Sequence, residues 1–205
     1  MIAALYVLES GPYYGLAGVD PWSEDRDARL YAGPHPVVAH PPCERWGRYW
    51  DGGPAAKVKQ KLGDDKGCFK AAIASVRDWG GVLEHPEGSH AWNHFGLTKP
   101  PRSGGWIKAD DQGWTCCVAQ GHYGHPAQKL TWLYAVRTDR PELTWGPKPR
   151  YIDPSKYNSE EERKRMVKTG ICQRLSKRQR ATTPSEFRDL LLSIARTGDR
   201  RQNAN

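Results

Sequence analysis

The chain has 205 residues, 31 Lys and Arg against 23 Asp and Glu, nine Trp, nine Tyr and a formal net charge of +8. That length suits one domain with a small appendage and buries a core without staples, and a mean hydropathy of −0.78 is polar without being the composition of a disordered chain. No run of 18 apolar residues offers a transmembrane helix, MIAALYVLES does not read as a secretory signal, and five scattered cysteines point to a reducing cytoplasm rather than a disulfide framework.

ALYVLE at 3–8 reads as a buried strand stopped by Gly11-Pro12, and PVVAH at 36–40 as a second, bracketed by Gly-Pro and Pro-Pro. Residues 66–79 carry Phe69, Ala72, Ile73 and Val76 at helical spacing, and Gly80-Gly81 ends that helix. GVLEH at 81–85 is a third strand and LTWLYAV at 130–136 a fourth. The strands lack alternation, which suits burial on both faces. The fold class expected is α/β, a mostly parallel open sheet with flanking helices, reduced and Rossmann-like. Residues 158–168 read as a charged helix capped by Asn158 or Ser159, and 183–195 as a helix with Thr183 at the N-cap and Pro184 at N1. The expected organisation is a core at 1–136, a proline-rich connector and basic segment at 137–180, a helix returning to the core at 181–196, and a disordered tail at 197–205.

Charge is unevenly placed. Residues 1–155 hold 18 basic and 17 acidic residues, whereas 156–180 hold nine and three. A near-neutral body with a basic segment suits a polyanionic partner such as nucleic acid, and no membrane is expected as a partner.

In open α/β sheets the chemistry collects beyond the C-terminal strand ends. His40-Pro41-Pro42-Cys43 follows the second strand, and Glu84-His85-Pro86 ends the third. A thiol and a carboxylate facing one crevice suggest a nucleophile with a proton donor. Arg45 or Arg48 could lower the thiol pKa, and Trp46, Tyr49 and Trp50 offer aromatic faces just after the cysteine. Cys116, Cys117, His122 and His125 fit no strong zinc spacing, so no metal is expected; a zinc-dependent deaminase or hydrolase is the distant alternative.

Five segments, in order, resemble the DNA cytosine-5 methyltransferases, in a compact form like that of a bacteriophage or prophage. Pro41-Pro42-Cys43 resembles the family's Pro-Pro-Cys loop, and Glu84 its strand-terminal Glu-Asn-Val motif. Tyr123 to Lys129 resembles its Tyr-Gly-x-Pro-Gln-x-Arg segment, and Arg180-x-x-Thr183-x-x-Glu186 its late Arg-x-x-Thr-x-x-Glu. Asp27-Ala28-Arg29 resembles its cofactor-side segment. The family's glycine-rich opening loop is here Glu9 to Gly15, with Pro12, Tyr13 and Tyr14. The resemblance implies modification of a pyrimidine, most simply cytosine, at carbon 5 in DNA, with S-adenosylmethionine as donor. Cys43, Glu84 and Lys129 would be catalytic. Gly11, Asp20, Asp27 and Pro41 would face the cofactor, and Pro42, Arg45, Trp46, His85, Gln128 and Arg180 the substrate. The alternatives are the same nucleophilic chemistry with another donor or a free nucleotide, and a non-catalytic DNA-binding relative.

Overall fold

Short apolar runs bounded by glycine and proline build one end of the sheet. The computed structural model describes residues 1–147, 158–169 and 182–202, without the side chains of 165–169 and 199–202. Strands β1 (Ile2–Leu5), β2 (Val19–Trp22), β3 (Val37–Ala39) and β4 (Gly81–Pro86) run parallel in the order β2-β1-β3-β4. The other end is antiparallel. There β5 (Ile107–Lys108) pairs with β6 (Trp114–Ala119), β6 with β7 (Leu130–Val136), and β7 with β4.

The seven-stranded sheet is therefore mixed, and the expectation of a mostly parallel one is corrected. An unbroken apolar run signals burial on both faces but says nothing about strand direction. Three strands had no sequence reading. In β2, Pro21 masks the strand, and a proline is tolerated there because β2 is an edge. In β6, the pair Cys116-Cys117 drew attention as metal ligands instead, and β5 is only two residues long.

Two cores form, one on each face. Helix α1 (Cys68–Trp79) buries Phe69, Ala72, Ile73 and Val76, joined by Trp92 of the short α2 (His90–His94). Helix α3 (Glu160–Thr169) starts at a reciprocal cap. The Ser159 hydroxyl accepts the Glu162 N–H at 3.1 Å, and the Glu162 carboxylate accepts the Asn158 N–H at 3.0 Å. On the opposite face α4 (Ser185–Gln202) lays Phe187, Leu191, Ile194 and Ala195 against Ile2, Val38, Val82 and Leu133. It starts two residues after the expected N-cap Thr183. It also runs past 196, so 197–202 are helical rather than a disordered tail; 203–205 lie outside the described residues. No described helix is long and apolar enough to cross a membrane.

Gly81 sets how closely β3 and β4 approach. Its φ is +118°, and a Cβ there would stand 2.0 Å from the Val37 carbonyl oxygen. Gly81→Ala is therefore expected to destabilise the fold by more than about 3 kcal/mol, adding overlap to backbone strain. Gly88→Ala, with φ +77° but open space around it, should cost only about 1–2 kcal/mol. Urea unfolding of the two variants checks the difference.

Candidate active site

Strand alternation and register bring the polar groups together. Ala39 pairs with Leu83, so the next residues along, His40 and Glu84, are neighbours. Both lie on the α4 face, two positions beyond the buried Val38 and Val82. His40 Nδ1 is 2.9 Å from Glu84 Oε2, and His40 Nε2 is 2.8 Å from the Tyr13 hydroxyl, which the loop after β1 supplies. Gln120, just past β6, donates from Nε2 to Glu84 Oε1 at 3.1 Å and to the Thr131 hydroxyl at 2.9 Å. Thr131 in turn donates to the Lys129 carbonyl at 3.2 Å. Both Glu84 oxygens thus accept N–H donors, and the side chains of His40 and Glu84 keep 13 % and 10 % of their exposure.

Burial pushes the Glu84 carboxyl up, but the His40 hydrogen bond and the positive charge of Lys129 outweigh it, so the pKa lies below the usual carboxylate value. Burial lowers the Lys129 ammonium, against the pull of Glu84 and Cys43. Lys129 also ties the site to α4: its Nζ donates to the Thr182 carbonyl at 3.2 Å. The Cys43 thiol is raised by the protein around it and by the Glu84 charge, with Lys129 opposing. Cys43, Glu84 and Lys129 therefore share one electrostatic site. The cysteine rests as a thiol, and Lys129, not Arg45 or Arg48, is the cation acting on it. Arg45 reaches the Trp50 carbonyl, and Arg48 lies over the Tyr49 ring at 5.6 Å.

Cys43 is exposed and opens a turn in which its carbonyl accepts the N–H groups of Trp46 and Gly47 at 3.0 and 2.9 Å. Trp46 anchors that turn. It is 2 % exposed, packs against Phe69 and Phe95, and donates from Nε1 to Asp65 at 2.8 Å. It has no free face for a base, which corrects its assignment to the substrate.

His85 is corrected as well. It follows Glu84 and so points to the other face, wholly buried, edge-on to Phe69 at 5.1 Å. Burial lowers its pKa from 6.5 to about 4, with Glu84 and the Pro42 carbonyl opposing. It packs in the aromatic layer against Phe69 and Trp92 rather than meeting substrate. Pro41 is buried, Pro42 is exposed, and Gln128 is half-buried with its carbonyl accepting the Gly121 N–H at 3.1 Å. Gly11 closes a tight turn onto the Leu8 carbonyl at 2.8 Å. Asp20 is held by Arg26 and Trp22, and Asp27 by Arg29. Arg180 lies outside the described residues. Cys116 and Cys117 fall into opposite cores, and no group of three or more His, Cys, Asp or Glu that could hold a metal occurs among the described residues.

Tyr13, His40, Gln120 and Thr131 had no role in the sequence reading. His40 carried a signal, a histidine at a strand end before Pro41-Pro42-Cys43. The other three carried none, because only the sheet joins positions up to 118 residues apart.

These charges have two measurable consequences. Glu84→Gln removes the anion that holds the thiol up, so alkylation of Cys43 near neutral pH should speed up several-fold, and Lys129→Met should slow it; peptide mass spectrometry at Cys43 reads both. Because the folded pKa of His85 is depressed, the folded state binds fewer protons than the unfolded one between about pH 6.5 and pH 4. Stability should therefore drop on acidification through that window by on the order of 3 kcal/mol. Glu84's own contribution is lost only below its ordinary 4.5. His85→Leu should flatten the upper part of the curve in denaturant titrations across pH.

In comparisons with protein-family models, curated proteins and solved structures, nothing matches this chain, so its chemistry is read from this site alone.

Proposed function

We propose that the chain modifies a pyrimidine of DNA, most simply cytosine, at carbon 5 through a covalent adduct to Cys43. The observation that carries this reading is the placement of Glu84, bonded to His40 and Gln120, at the C-terminal part of β4, with Cys43 four residues past the end of the neighbouring β3 and Lys129 one residue before β7. The fold reading that goes with it is Rossmann-like. Chain order reverses at β1, with β2 on one side and β3 on the other, and Tyr13 and His40 meet beyond that reversal, where such sheets place their sites.

Carbon 5 of cytosine is a poor nucleophile, and addition at carbon 6 changes that. Cys43 gives up its proton to ionised Glu84 as its sulfur bonds to carbon 6. The ring electron pair displaced from the 5–6 double bond moves through carbon 4 to N3, and Glu84 passes the proton to N3. The adduct is an enamine whose carbon 5 attacks an electrophile. Loss of the carbon-5 proton and expulsion of the Cys43 thiolate then restore the double bond, while N3 returns its proton through Glu84.

Such chemistry needs the base out of the stack. Arg48 and Tyr49 stand exposed five and six residues beyond Cys43 and suit an extruded nucleotide, and the basic stretch 156–180 suits the phosphates.

S-adenosylmethionine is the donor the resemblance implies. The residues carried over for it do not fit that task as they stand. Asp20 and Asp27 direct their carboxylates to Arg26, Trp22 and Arg29, and Tyr13 of the opening loop is buried and bonded to His40. The engagement of these residues favours the reading in which the same adduct meets another electrophilic carbon.

The test needs no donor, because the adduct exchanges the carbon-5 hydrogen with water. DNA tritiated at carbon 5 of cytosine should release tritium with the wild-type protein, and Cys43→Ser should slow release by at least about a hundredfold. Equal release from both proteins, or none from the wild type on single- or double-stranded DNA, defeats the proposal. Mass spectrometry of nucleosides from cells expressing the protein identifies the group added.

A further inference from the structure

His40 takes its role from the adduct reading and rests on it: the Cys43 proton needs an acceptor already ionised when the base arrives. A carboxyl as buried as Glu84 would, left to itself, keep its proton. Two cations or donors oppose that: Lys129, whose Nζ is also held by the Thr182 carbonyl, and His40 at 2.9 Å. His40 is the closer-coupled of the two, through a direct hydrogen bond.

We propose that His40, clamped between Tyr13 and Glu84, is the positioning residue that keeps Glu84 ionised and oriented as the base for Cys43. A carboxylate only accepts, so the hydrogen of the 2.9 Å bond sits on His40 Nδ1. Tyr13 is 2 % exposed and burial pushes its proton loss far up, so it stays a hydroxyl and donates to His40 Nε2 at 2.8 Å. One tautomer and one ring orientation are thereby fixed, as when a third group orients a catalytic base. The clamp is itself braced, because Arg188 of α4 donates to the Pro12 carbonyl at 2.8 Å, one residue before Tyr13. The charged and titratable groups facing this pair are Lys129 and Cys43 around Glu84, with His85 buried on the opposite face of the sheet, and Arg188 and Asp189 near Tyr13. Arg188 and Asp189 are adjacent charges of opposite sign, bonded to each other at 2.8 Å, and so offset one another. None of them replaces the direct Nδ1–H bond.

The experiment follows the Glu84 side-chain carbon by NMR across pH, and tritium release from carbon-5-tritiated cytosine DNA over the same range, in the full chain. In His40→Leu the Glu84 midpoint should move upward. Because the ionised form is the working one, exchange should then fall roughly tenfold more at about pH 6 than at about pH 8. His40→Asn, whose amide N–H can stand where Nδ1–H stood, should bring both back toward the wild type, and Tyr13→Phe should shift both in the same direction but less. An unmoved Glu84 midpoint in His40→Leu overturns the assignment whatever the activity. A moved midpoint with a uniform loss at every pH also overturns it, leaving His40 a scaffold. Absence of exchange in the wild type is a different result: it sinks the adduct reading, while the Glu84 titration still decides whether His40 governs its ionisation.

Discussion

Val37, Val38 and Ala39 lie in parallel beside Gly81, Val82 and Leu83, and that register decides which side chains meet beyond the strands. A slip of one residue would send Glu84 into the aromatic core that holds Phe69 and Trp92, and would bring His85 to the site in its place. Gly81 secures the close approach of the two strands, since any side chain there would collide with the Val37 backbone. The pairing of His40 with Glu84 is the chemical consequence of this one geometric constraint.

Around that pair the chain spends its polar groups economically. Glu84 is nearly buried, yet each oxygen has a donor, and Gln120 reaches it only because Thr131 and the Lys129 carbonyl fix which end of the amide points inward. An unsatisfied carboxylate at this depth would cost several kcal/mol. The thiol meets the opposite situation. Cys43 lies on an exposed turn anchored from below by Trp46, and it remains protonated because the protein around it and the Glu84 charge both raise its pKa. At rest the site therefore holds a thiol and a carboxylate.

The α4 side contributes more than a hydrophobic lid. The segment leading into α4 receives Lys129 through the Thr182 carbonyl, and Arg188 holds the Tyr13 loop through Pro12. The site is thus assembled from β1, β3, β4, the end of β6, the start of β7 and α4. Phe187, Leu191 and Ile194 press that helix onto the sheet. Packing in the apolar layer therefore sets the distances in the polar one above it.

The sequence by itself determined the local elements whose signals are local. Apolar runs bounded by Gly and Pro marked β1, β3 and β4, aromatic and β-branched residues marked β7, helical spacing of Phe69, Ile73 and Val76 marked α1, and Asn158 or Ser159 as cap marked the start of α3. It also singled out Cys43 and Glu84, because a thiol and a carboxylate at successive strand ends stand out in one dimension, and Lys129 through the segment that resembles the methyltransferases. Strand direction was not legible, since burial on both faces looks alike in parallel and antiparallel neighbours, and β2 hid behind Pro21. Nor was the fate of individual side chains. Glu84 and His85 are adjacent in the chain and part company because a strand alternates its faces. Trp46 looked like a stacking surface until the fold put Asp65 and Phe69 around it. Only the tertiary structure could recruit Tyr13 and Gln120, because a hydrogen bond acts over 3 Å of space and leaves no trace in residues 27 and 36 positions away along the chain.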